Sequence, residues 1–89
     1  MARYIALIDR STAAYGAVFP DLPGCTAMGR TMRDLLNDAT EALRDWIEIT
    51  IENGGKIPQP RSLETLRHDP DVKHSFAGGA VSFAIELCN

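Results

Sequence analysis

The feature that most limits how this chain can fold is a single apolar stripe. Met32, Leu35, Leu36, Ala39, Leu43, Trp46 and Thr50 recur at steps of three or four between Thr31 and Asn53, the period of an α-helix with one buried side. Ala42, Ile47, Ile49 and Ile51 widen or flank that stripe. Its ends are marked. Thr31 is a good N-cap, with Asp34 three residues on as a short-armed capping box. Asn53-Gly54-Gly55 supplies a left-handed stop, and Pro58 and Pro60 forbid continuation. At 1.5 Å per residue the rod is about 35 Å long. A helix of that length with one apolar side needs a sheet beneath it, and 89 residues leave room for one core only.

The remaining chain supplies strands. Tyr4 to Ile8 is apolar on both alternating faces, Tyr4/Ala6/Ile8 and Ile5/Leu7, which suits an inner strand. Tyr15 to Phe19 is a second run, reached through a hairpin-sized polar stretch and stopped by Pro20-Asp21-Leu22-Pro23-Gly24. Cys25 to Arg30 is a third. Ser62 can cap one short helical turn, Leu63 to Leu66. Val81, Phe83, Ile85 and Leu87 then alternate with Ser82, Ala84, Glu86 and Cys88, a strand pattern with one buried face. Gly78-Gly79 ahead of it allows a bulge or a close backbone approach.

The order is β-β-β-α-(short turn)-β. The expected fold is an α+β two-layer sandwich: an antiparallel meander plus a fourth strand, with one long amphipathic helix packed on the sheet. The fourth strand is expected beside the first and parallel to it, after the crossover. One helix leaves the other sheet face uncovered, and the apolar second face of the first strand points to another chain there, most simply in a homodimer.

Three segments in combination, Tyr15 to Cys25, Gly29-Arg30-Thr31 and the amphipathic helix ending in Gly54-Gly55, resemble the HicB-like antitoxin family. Ile57 to Leu66 also resembles the segment that follows the helix there, so the likeness extends over nearly the whole chain. The resemblance implies a partial ribonuclease-H-like fold in a single domain, residues 1–89. It implies an antitoxin whose partner is a small basic RNA-cleaving toxin, HicA-like. Many members carry a C-terminal helix-turn-helix or ribbon-helix-helix module that binds operator DNA. This sequence stops at Asn89 without one, so DNA binding is not expected of it.

Charge suggests which surface meets such a partner. From Thr31 to Asn53 six acids stand against two bases, a sum of −4, while seven bases and six acids elsewhere give +1. Asp34/Asp38, Glu41/Asp45 and Glu48/Glu52 are like-charged pairs at i,i+4, each unfavourable by a few tenths of a kcal/mol in an isolated helix. An acidic surface attracts a basic partner and repels RNA, raising the association rate and suppressing wrong partners. The candidate toxin-contacting residues are Asp38, Glu41, Asp45, Glu48 and Glu52, with Asp21 of the Pro-Asp-Leu-Pro turn as a further member. A self-associating structural or small-ligand-binding module without a toxin is the alternative.

Other chemistry finds little support. A ribonuclease needs several carboxylates converging on two divalent ions about 3.5–4 Å apart. Here Asp9, the helix acids and Glu86 are expected on diverging faces, so no enzyme, metal or cofactor is expected. His68 and His74, six apart across Pro70, read as two loop histidines in water. Cys25 and Cys88 read as two reduced, half-buried thiols rather than a disulfide framework. Trp46 reads as core. The N-terminus has no apolar run of signal-peptide type and no segment of about 20 apolar residues exists, so the expected compartment is the cytoplasm.

Overall fold

The structure, a computed structural model, describes residues 2–87. Its elements in chain order are β1 (Arg3–Arg10), β2 (Tyr15–Val18), β3 (Thr26–Gly29), α1 (Met32–Glu52), α2 (Leu63–Leu66), α3 (Pro70–Ala77) and β4 (Val81–Glu86). The four strands form one sheet in the order β3-β2-β1-β4, antiparallel throughout. The α+β architecture matches the expectation, and the doubly apolar β1 is an inner strand. Its register sets the two faces. Ile8 lies between Ala17 and Val81, and Leu7 between Val18 and Ser82.

The first face carries Tyr4, Ala6 and Ile8, with Ala17, Ala27 and Ile85 beside them, and α1 lies on it. Leu35, Ala39, Leu43 and Ile47 are the helix residues driven fully into this core. Thr31 is the N-cap, its hydroxyl oxygen accepting from the Asp34 N–H at 3.1 Å. Gly54 takes a φ of +74° just past the C-cap Asn53, ending the helix as its sequence predicts. The step from β3 into α1 is so tight that a Cβ on Gly29 would lie 2.8 Å from the Leu35 Cα.

Four expectations need correction. The first concerns direction: β4 does lie beside β1, but antiparallel to it. The cause is α3, a helix over residues read as loop, which places His74 on a helix. Asp69 caps it and Pro70 occupies its first turn. That extra pass returns the chain to the opposite end of the sheet before β4 begins, so β4 runs against β1.

The second concerns the far sheet face. Leu7 is buried there against Leu66, Val72 and Ala80, with Ile5 and Phe76 packed alongside. The chain's own α2 and α3 therefore cover β1's second face, and no other chain is needed to bury it. The third concerns β4, whose apolar side is only partly covered. Ile85 is buried, whereas Val81 and Phe83 are 55% and 45% exposed. The fourth is Cys25, which is fully buried rather than half-buried; Cys88 lies outside the described residues. No helix among the described residues is long and apolar enough to cross a membrane.

Candidate functional site

At 100° per residue, Asp34, Asp38, Glu41, Asp45, Glu48 and Glu52 all fall within about 80° of one another around α1. They point away from the buried line of Leu35, Ala39, Leu43 and Ile47, and each is exposed. Folding therefore turns six scattered acids into one stripe. The three ion pairs among the described residues are Arg3–Glu86, Arg61–Asp21 and Arg61–Asp69. None involves the stripe, so its charge is not cancelled from within. Carboxylates only a turn apart repel each other weakly in water, and a cationic surface laid across them would relieve that repulsion.

Asp38 has a second task. It sits where the stripe overhangs β3, an edge strand, and its Oδ2 accepts from the Met28 N–H at 3.0 Å. Met28 pairs with Gly16 on the β2 side, and this outward N–H would otherwise be free to join a foreign strand.

Asp21 is placed quite differently from the helix acids. Its side chain is only 6% exposed and its carboxylate is shared between two groups of Arg61. Oδ2 accepts from the Arg61 backbone N–H at 2.7 Å and Oδ1 from the guanidinium Nε. Arg61 also reaches Asp69, the N-cap of α3, at 3.3 Å. Asp21 thus ties the Pro-Asp-Leu-Pro turn to the segment that leads into α2 and α3. The same turn receives the Trp46 indole, whose Nε1–H donates to the Pro23 carbonyl at 3.0 Å. Nearby, the Tyr4 hydroxyl donates to the Pro58 carbonyl at 2.6 Å. The loop from Asn53 to Ser62 is fastened at both its middle and its end.

The protonation states agree with this structural role. Burial, and then the nearby Asp21 charge, push the Tyr4 phenol above its ordinary value. The hydrogen bond to Asp21 chiefly raises Arg61, and the Asp71 N–H chiefly holds the Asp69 carboxyl below its usual range. Burial pushes the Cys25 thiol up, the reverse of what a nucleophile requires. Asp9 and Glu86 lie on the second sheet face, Glu86 within 3.8 Å of Arg3, while the helix acids other than Asp38, which reaches the edge of β3, project from the opposite layer. Among the described residues no group of three His, Cys, Asp or Glu side chains comes together.

Known proteins resemble this chain along most of its length. The chain is 33% identical over 67 residues to UPF0150 protein Ta0767 of Thermoplasma acidophilum, covering 74% of this chain and 97% of that one. It is 29% identical over 70 residues to a 14.9 kDa protein from the rep-hol intergenic region of Haemophilus phage HP1, and spans about half (53%) of that protein's length. Among solved structures, a chain of the HicA3 and HicB3 toxin–antitoxin complex superposes with a TM-score of 0.79 at 26% identity, covering 98% of this chain and 99% of that one. The Burkholderia pseudomallei antitoxin HicB superposes with a TM-score of 0.80 at 25% identity, over 98% of this chain and 64% of that one. The profile described as the HicB_like antitoxin of bacterial toxin-antitoxin systems matches residues 4–85, and the chain belongs to that family.

Proposed function

We propose that this chain is the protein-binding domain of an antitoxin, which neutralises a small basic HicA-like toxin by covering the surface with which that toxin holds RNA. The observation that carries this reading is the acidic stripe on α1: exposed carboxylates in one sector, with no ion pair to any described residue. A surface that binds RNA phosphates is rich in Lys and Arg, and a row of carboxylates competes for the same cations. Asp38, Glu41, Asp45, Glu48 and Glu52 are the proposed contacts. Asp21, held by Arg61, acts behind them as a brace rather than at the interface. The chain works by binding, without catalysis of its own, and in the cytoplasm.

The test is titration calorimetry and stopped-flow association with a small basic HicA-like toxin. Replacing Asp45, Glu48 and Glu52 together by Lys should slow association at least tenfold at low salt, with the gap closing as salt rises. Unchanged rates at low salt would refute the assignment of this face. A second reading, association of two copies, is favoured by one observation. Val81 and Phe83 stand exposed on the edge strand β4, and that edge has no equivalent of Asp38 among the described residues. Sedimentation of the isolated chain across a concentration series decides it.

A further inference from the structure

The second sheet face is not closed everywhere. α2 and α3 cover β1, but over β2 and β3 the face is bare, with Val18 44% and Met28 68% exposed. Two adjoining hollows lie there, of about 340 and 200 Å³, and they share Asp9, Gly16 and Met28. Together they form a shallow trough along β2, about 13 Å long at the rise of a strand. Gly16 is the reason it is hollow: a side chain there would stand in the trough. The larger hollow is bounded by Asp9 on one side and by Asp38 on the other.

Asp38 belongs to the α1 stripe, so the trough and the acidic face are one surface, bent around the edge of β3. Among the described residues no Lys, Arg or His lines either hollow. Asp9 has no ion pair among the described residues. A floor of Met and Val between two carboxylates suits one kind of side chain in particular, a long aliphatic stem ending in a cation.

Resting on the antitoxin reading above, we propose that the trough receives an extended basic segment of the toxin. A Lys or Arg stem lies over Met28 and Val18, and its head sits between Asp9 and Asp38. The partner then grips two sides of β3, which fixes orientation as well as attraction. The α1 stripe sets how fast the toxin arrives, and the trough sets how long it stays.

Gly16 makes the test clean. A Cβ there meets nothing nearer than the Ala27 carbonyl oxygen at 4.0 Å, and its φ is not positive, so Gly16→Leu fills the trough without disturbing the sheet. Asp9→Lys removes the charge match by an independent route. Both variants are measured against a small basic HicA-like toxin by calorimetry and stopped-flow dissociation, and alone by sedimentation, with melting curves alongside. Amide spectra of the ¹⁵N-labelled unaltered chain are recorded with and without that protein. The expected result is at least tenfold weaker binding for each variant, chiefly through faster dissociation, with shifted amide signals for Gly16, Val18 and Met28.

If the α1 reversals weaken binding but Gly16→Leu and Asp9→Lys stay within twofold of the unaltered chain, the trough proposal is overturned and the antitoxin reading stands. No binding by the unaltered chain overturns both. If Gly16→Leu instead abolishes self-association and leaves toxin affinity intact, the trough belongs to a second copy and the proposal fails.

Discussion

Replacing Asp21 by Ala separates a brace from a binding contact. The carboxylate accepts two hydrogen bonds from Arg61, one from the backbone N–H at 2.7 Å and one from Nε. Its loss leaves the backbone N–H without a partner in a crowded turn, at about 1–3 kcal/mol. The guanidinium is 38% exposed and can turn to water or to Asp69, so that half of the loss is smaller, about 1 kcal/mol. The expected total is about 3 kcal/mol. For a domain of this size each kcal/mol moves the melting temperature by about 4–8 °C, so the midpoint should fall by about 12–24 °C. Urea and thermal unfolding followed by far-UV circular dichroism measure the free energy and the midpoint, because the fluorescence of Trp46 is itself tied to this turn through Pro23. Arg61→Lys keeps the backbone N–H and should cost about 1 kcal/mol. The reasoning fails if Asp21→Ala costs under 0.5 kcal/mol. It fails equally if the folded variant loses tenfold in toxin affinity while keeping its stability, since Asp21 would then be a contact.

Further perturbations probe other junctions of the fold. Gly29→Ala would drive a methyl to within 2.8 Å of the Asp34 and Leu35 backbone, forcing the start of α1 off the sheet. The expected loss is about 1–3 kcal/mol in the same urea assay, and a neutral result would show the β3–α1 junction to be pliant. The buried Tyr4 phenol has a folded value above its unfolded one, so it favours the fold below about pH 10 and loses that contribution as pH rises through the folded value. Alkaline unfolding should therefore begin at lower pH in the native chain than in Tyr4→Phe, which has no phenol to ionise. Asp69 works in the opposite sense. Its depressed value favours the fold above about pH 4, and that contribution fades as pH falls through the folded value.

Local signals were readable wherever they were complete within a few residues. The α1 boundaries follow from Thr31, Asn53 and Gly54, each acting on its own neighbours. The inner place of β1 follows from its two apolar faces, and α2 from Ser62, whose oxygen accepts from the Thr65 N–H. Helix α3 was hidden because its eight residues bury only Val72 fully, with Phe76 half-buried one turn on, too short a stripe to show a period. Its start was nonetheless written in Asp69-Pro70, a cap followed by a proline at the first turn. Missing one pass of chain reverses the direction inferred for the strand after it, which is how β4 came to be expected parallel.

Burial and partnership are another matter, because they depend on what lies across the fold rather than along it. Alternation in β4 shows which side chains share a face but not whether anything rests on that face. A helix is about 10 Å across, and four strands at 4.8 Å spacing span more than that. α1 packs mainly on β3 and reaches β4 where Ile85 joins its core, so Val81 and Phe83, nearer the other end of β4, are left bare. On the second face the covering is reversed: α2 and α3 sit on β1 and leave β2 and β3 open. Asp21 and Asp38 show the same limit in single residues. One lies in a turn and the other in a helix, and neither position tells which group its carboxylate meets. One meets Arg61 forty positions away, and the other finds the outward N–H of an edge strand ten positions back. The sector in which the α1 acids fall is a property of helical period and was legible; which of them is also a structural cap required knowing where the sheet ends. Asp38→Asn distinguishes the two duties of that residue. The amide oxygen can still accept from Met28, so the fold should hold while the charge facing a basic partner is lost.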